Sequence, residues 1–152
     1  MGAELRIALS EADLELTREV RHEVFVVEQG VPVELEYDEY DATSVHVLAV
    51  GEDGAALGTG RLIHGAEALA MTGRQGRVLL GRLAVREAAR GTGLGAALVR
   101  RLEEAGREHG GTELELHAQV QALGFYERLG YLAEGPVYQD AGIPHRTMTR
   151  TL

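Results

Sequence analysis

The stretch GRLAVREAARGTGLGAALVRRLEEAG (residues 81–106) runs from an apolar segment through a glycine-rich turn into an amphipathic helix. Residues in that order can hold an anion. Glycines let backbone N–H groups approach phosphate oxygens without a Cβ in the way, and the following helix turns its positive end towards them. Two patterns overlap here. Gly91 to Ala96 (GTGLGA) satisfies G-x-G-x-x-G/A, the dinucleotide fingerprint. Arg90 to Gly95 (RGTGLG) satisfies R/Q-x-x-G-x-G/A, a pattern associated with coenzyme A. Both place a pyrophosphate at a helix N-terminus.

The dinucleotide reading needs its first glycine in the tight turn directly after a strand, inside a repeating βαβ fold. Here residues 86–90 (REAAR) separate Val85 from Gly91, and the chain offers only one central βαβ. Glu113 or Glu115 stands near the position of the ribose-binding acid, so the fingerprint is not empty. An NAD(P)-dependent oxidoreductase and a merely structural turn are therefore the lesser readings. The coenzyme A reading uses every part: Arg90 as a cation beside the pyrophosphate, Gly91, Gly93 and Gly95 for close backbone approach, and the helix behind them.

Other chemistries are narrowed by absence. There is no cysteine, hence no thiolate nucleophile and no Cys-based zinc site, and no Ser/His/Asp arrangement is visible. Every basic residue is arginine; without lysine there is neither a Schiff base nor a P-loop cation. The acids Glu34, Glu36, Asp38, Glu39 and Asp41 lack EF-hand spacing, and His46, His64, His109 and His145 are scattered, so no metal is expected. That acidic run reads mostly as a solvated loop, with some capacity to attract a cationic amine.

The elements that must position the loop follow from periodicity. ELRIAL (Glu4–Leu9) alternates as a strand, and Ser10 with Asp13 suggests an acidic variant of the capping box opening a helix that Gly30 ends. VHVLAV (Val45–Val50) and ALGTGRLI (Ala56–Ile63) form a hairpin across GEDGA. Residues 64–77 read as a loop. RVLLGRLAV (Arg77–Val85) is apolar on both faces and so central. Leu94, Leu98, Leu102 and Ala105 form one buried helical stripe. TELELHAQ (Thr112–Gln119) returns as a strand with Leu114, Leu116 and Ala118 on one face and Glu115, His117 and Gln119 on the other. A short helix stopped by Gly130 and strand-like material around a turn complete an α/β chain, a mixed sheet with helices on its faces.

The chain has 152 residues, enough for a buried core, and shows no repeat, linker or composition break; one domain over 1–152 is expected. A net charge of −9 argues against nucleic acid. No apolar run approaches the ~18 residues of a membrane helix and the start is not a signal peptide, which together suggest a cytoplasmic protein.

RLAVREAARGTGLGAALV followed by LELHAQVQALGFYERLGY resembles the GNAT superfamily of acetyl-CoA-dependent N-acetyltransferases. VRHEVFVVEQGVPVELEYDEYD (Val20–Asp41), HAQVQALGFY (His117–Tyr126) and DAGIPHRTM (Asp140–Met148) are similar to its ElaA/YjcF-like branch. The resemblance implies a mostly antiparallel sheet whose central strand pair splays apart, with helices on both faces. It implies that Leu83, Ala84 and Val85 offer main-chain groups to the pantetheine of acetyl-CoA, and that Arg90, Gly91, Thr92, Gly93, Leu94, Gly95 and Ala96 hold the pyrophosphate. Tyr126 falls where many such enzymes carry a general-acid tyrosine, although Phe125 and Tyr126 can also simply pack the short helix. His117 or Glu28 would be the base; His117 can equally be an ordinary polar-face residue, and Glu28 a solvated helix end. Arg21 is expected to pair structurally with Glu28 or another acid. The implied activity is acetyl transfer to a small-molecule or peptide amine, with a non-catalytic acyl-CoA-binding module as the alternative. Nucleic-acid and membrane partners are not implied, and a homodimer is left open.

Overall fold

The computed structural model describes residues 2–152. In chain order these form β1 (Glu4–Ile7), α1 (Glu11–Arg21), the one-turn α2 (Val33–Glu36), β2 (Val45–Val50), β3 (Ala56–Ile63) and α3 (Gly65–Thr72). β4 (Arg77–Val85), α4 (Leu94–Glu108), β5 (Glu113–Gln119), α5 (Leu123–Arg128), β6 (Leu132–Asp140) and β7 (Ile143–Thr151) follow. α1 continues through His22–Glu28 in wider π-helical turns, and Gly30, at φ +73°, ends it.

The strands make one sheet in the order β1-β2-β3-β4-β5-β7-β6. Every neighbouring pair is antiparallel except β4 and β5. The α4 stripe packs on one face, where Leu98 and Leu102 lie fully buried among Val47, Leu62, Leu80, Leu114 and Leu116. The fit is close: a Cβ at Gly60 would stand 2.5 Å from Leu102 Cδ1. On the other face Val20 and Val24, from α1 and the turn after it, cover Leu48, Val50 and Ala84. Ala68 of α3 covers Ile63 and Leu79.

Three expectations change. Residues 64–77 are not all loop: Gly65–Thr72 is helical and closes at Gly73 in the left-handed region. Asp13 donates its N–H to Ser10 Oγ at 3.1 Å, but its carboxylate binds Arg6 at 2.9 Å and does not return to the cap, so only half of the box forms. The acidic run is not mostly solvated: Glu36 is buried, and Asp38 and Asp41 are three-quarters covered by arginines described below.

The feature that matters for function is where pairing stops. β4 and β5 pair from Arg77↔Glu113 to Leu80↔Leu116 and no further, although the strands continue to Val85 and Gln119. On its opposite edge β4 carries a bulge. Thr59 pairs with Ala84 and Arg61 with Gly81, so Arg82 and Leu83 together oppose Gly60. Arg82 takes φ +53° there. A bulge bends its strand and steepens the twist. β4 leaves β5 at that point, and the sheet opens into a V.

Candidate active site

A cleft of about 960 Å³ occupies the V. Of the residues singled out from the sequence, Leu83, Ala84, Val85, Arg90, Gly91, Gly93, Leu94, Gly95, Ala96, His117, Tyr126 and Glu28 all line it. Thr92 does not; its hydroxyl donates to the Ala89 carbonyl at 2.6 Å and pins the loop.

The glycine loop has the donor set a pyrophosphate needs. Gly93 is the N-cap of α4 at φ +85° and contributes no side-chain cap. The helix makes its first carbonyl-to-amide bond from Ala97 N to Gly93 O at 3.1 Å. The N–H groups of Leu94, Gly95 and Ala96 therefore have no carbonyl in a preceding turn, as at any helix start. Gly91 and Gly93 both have positive φ, and a Cβ built on either meets nothing within 4 Å. The space an anion requires is open, and the residues fit a coenzyme A pyrophosphate. Arg90 is held at the lip, donating from Nε to the Val85 carbonyl at 2.9 Å and from Nη2 to Glu28 Oε1 at 2.6 Å. Glu28 thus sits against the anion loop as the counter-ion of Arg90.

Tyr126, on α5, lies 8 % exposed beside the V, its ring edge-on to Phe125 and Tyr131. Among the described residues its hydroxyl has no hydrogen-bond partner. Burial drives its pKa upward, so the phenol stays protonated at neutral pH.

His117 stands on the polar face of β5 with both ring nitrogens engaged. Nε2 lies 2.8 Å from Glu115 Oε2, and Nδ1 meets the Tyr138 hydroxyl. Arg77 Nη1 donates to Glu115 Oε1 at 3.1 Å. The hydrogen bond from His117, with Arg77 behind it, holds the Glu115 carboxyl below its ordinary range. Neither Glu115 nor Tyr138 was singled out from the sequence as a companion of His117. Glu115 was within reach of a strand-alternation argument, being two residues from His117 on the same face. Tyr138 was not, because it arrives only through the insertion of β7 between β5 and β6.

On the α1 face three of the acids are held by arginines. Arg21, 1 % exposed, donates from Nε to Glu36 at 2.8 Å and from Nη1 to Asp41 at 2.8 Å. Arg61 binds Asp38 at 2.7 Å and Asp41 at 2.9 Å, and Arg82 reaches Asp38 at 3.2 Å. Burial alone would raise the Asp41 pKa, but the bonds from Arg21 and Arg61 bring it from 3.8 to about 2. Three cations meet three of the five carboxylates, and Glu34 and Glu39 stay exposed. Arg21 does pair structurally, but with Glu36 and Asp41 and not with Glu28.

A mixed sheet parted between two parallel strands, with a glycine-lined helix start at the opening, defines an acyl-CoA N-acyltransferase architecture. The structure of an acyl-CoA N-acyltransferase from Pseudomonas aeruginosa superposes with a TM-score of 0.83 at 34% identity, covering 97% of this chain and 99% of that one. The acetyltransferase (GNAT) domain family matches residues 9–152, and the chain belongs to that family. It is 35% identical over 146 residues to the uncharacterized N-acetyltransferase YjcF of Bacillus subtilis, covering 95% of this chain and 96% of the relative. It is 31% identical over 144 residues to protein ElaA of Escherichia coli, covering 93% of this chain and 90% of ElaA. The crystal structure of ElaA superposes with a TM-score of 0.83 at 28% identity, covering 97% and 99% of the two chains. The family uses an acyl-CoA co-substrate, and the branch suggested by the sequence motifs is the one these relatives occupy.

Proposed function

We propose that this protein moves an acetyl group from acetyl-CoA directly to the amine of a small molecule or peptide, with both substrates bound at once. The observation that carries the reading is the protonated, unpartnered Tyr126 hydroxyl lining the same cleft as the anion loop.

The amides of Leu94, Gly95 and Ala96 would take the pyrophosphate, with Arg90 releasing Glu28 to join them. Leu83, Ala84 and Val85, beyond the last β5 pairing, offer their main chain to the pantetheine. Amide N–H groups fixed in a strand can also bear the charge that develops on the thioester oxygen as the amine attacks. Collapse of that intermediate expels a thiolate, and Tyr126 supplies its proton. His117, with its partners, draws the proton from the amine. No cysteine is present to form an acyl-cysteine intermediate, which favours direct transfer.

Thermal unfolding with acetyl-CoA, coenzyme A or NAD⁺, followed by thiol release from acetyl-CoA across an amine panel, tests this. A ligand at about 100 times its Kd adds ~2.7 kcal/mol, several degrees in midpoint. Stabilisation by both coenzyme A forms, none by NAD⁺, and amine-dependent thiol release are expected. Stabilisation without release on any amine would leave a binding module and overturn transfer.

A further inference from the structure

The two nitrogens of His117 are not equivalent, and their partners decide which one is basic. Glu115 is held in its ionised form by His117 and Arg77, and an ionised carboxylate only accepts hydrogen bonds. The nitrogen 2.8 Å from it, Nε2, must therefore carry the proton. A neutral imidazole has one N–H, so Nδ1 is bare and accepts from the Tyr138 O–H.

We infer that Glu115 and Tyr138 are positioning residues for His117: Glu115 fixes the Nε2–H tautomer, and the Tyr138 hydroxyl is the route by which a proton reaches Nδ1. The inference rests on the amine-transfer reading for its catalytic half; the tautomer stands apart from it. In the relay, the attacking amine gives its proton, through a water, to the Tyr138 oxygen as the C–N bond forms; Tyr138 is not itself among the cleft-lining side chains and meets the cleft-lining His117 and His145. The proton already on that oxygen passes to Nδ1. The phenol ends neutral, and the new imidazolium lies against the Glu115 carboxylate.

The surroundings favour that charge distribution. Tyr138 comes from β6, and His145 of β7, which lines the cleft, stacks on it at 6.0 Å between ring centroids. Asp140 bears on Tyr138 electrostatically. Thr147 is the β7 partner of His117. Arg77 of β4 stands behind Glu115 and also meets Glu113 at 3.4 Å and Glu134 at 3.5 Å. The carboxylate is thereby backed by a cation that cannot itself accept a proton, so Glu115 stays ionised while His117 changes charge.

Nitrogen-15 NMR of the histidine rings in the whole protein reads the tautomer without any substrate. His117 is expected as Nε2–H at neutral pH, and an Nδ1–H ring would overturn the assignment whatever the enzyme does. In Glu115→Leu, which can accept no hydrogen bond, the Nε2–H signature should give way to a mixture with the Nδ1–H form. An unchanged Nε2–H ring in that variant would make Glu115 merely structural. Tyr138→Phe should keep the tautomer and the acetyl-CoA KM while kcat falls at least tenfold; unchanged kcat would remove the relay. If the rings read Nε2–H and no amine is ever acetylated, transfer fails and the tautomer does not.

Discussion

Tyr126 and Glu28 show how little of a residue's chemistry is written in its type. The phenol is an ordinary tyrosine made more reluctant to ionise by burial. That direction suits an acid that must keep its proton until a thiolate takes it. Tyr126→Phe should lower kcat by about 100-fold or more, within the span of general acid catalysis, with acetyl-CoA affinity nearly unchanged. Loss of affinity at constant kcat in steady-state kinetics would place Tyr126 in binding. Its upward shift also means that any alkaline fall in kcat below pH 10 belongs to another group. Glu28 competes for the cation that a pyrophosphate would need. The pair is partly exposed, and pairs of that kind are worth about 0–1 kcal/mol. Calorimetry on Glu28→Gln should therefore show coenzyme A binding up to about fivefold more tightly; weaker binding would mean that Glu28 does more than hold Arg90.

The helices and strands differ in how far periodicity reveals them. The stripe Leu94, Leu98, Leu102 and Ala105 sits at helical spacing and is buried as that spacing requires. The ends of β4, Arg77 and Val85, agree with the apolar run, and Leu114, Leu116 and Ala118 do share the buried face. α3 was missed because GAEALAMT pairs small residues with a weak apolar face, and only Ala68 is buried. The order β5-β7-β6 was illegible because strand neighbours are set by long-range pairing, and so the Tyr138 contact was illegible too. The arginine–carboxylate network was hidden for a related reason: Arg21, Arg61 and Arg82 come from three separate elements. That network fastens α2 and the turn after it to the sheet. Arg21→Ala would leave Glu36 buried and without its closest partner, a change that typically costs about 3–5 kcal/mol. Urea unfolding should show it as a lowered midpoint at constant slope; a loss below ~1 kcal/mol would mean that water takes the place of the guanidinium. At the start of α4 the constraint is conformational. Gly93→Ala places a Cβ at φ +85°, a conformation that costs an L-residue about 1–2 kcal/mol. Nothing blocks that Cβ in space, so the strain should appear as weaker coenzyme A binding more than as misfolding.

Across the whole molecule, the paired and buried groups set how stability depends on pH. His46 and His64 are both pushed below 6.5 by burial, His64 further by the His109 ring stacked on it at 4.0 Å. Asp41 is drawn from 3.8 to about 2. Glu103 is pulled down, against its burial, by Tyr131, Arg100 and Arg150, and Glu115 is lowered by His117. Each of these binds a proton more weakly in the folded chain than in the unfolded one. Glu36, raised by burial, opposes them; on balance the unfolded state takes up more protons as pH falls, and stability falls with it. The loss comes in two stages. The histidines act first, as pH drops through 6.5 towards their lower folded values. The carboxyls act below about 4.5, with Asp41 alone contributing about 2 kcal/mol between its unfolded and folded values. Urea unfolding at pH 7.5, 5.5 and 3.5 should show a nearly flat plateau above 7, a modest decline by 5.5 and a steeper one by 3.5. His64→Gln should shrink the first stage and leave the second intact. A first stage undiminished in that variant would assign it to His46, whose Nε2 is 2.8 Å from the Asp41 carbonyl, and so to the same network that holds α2.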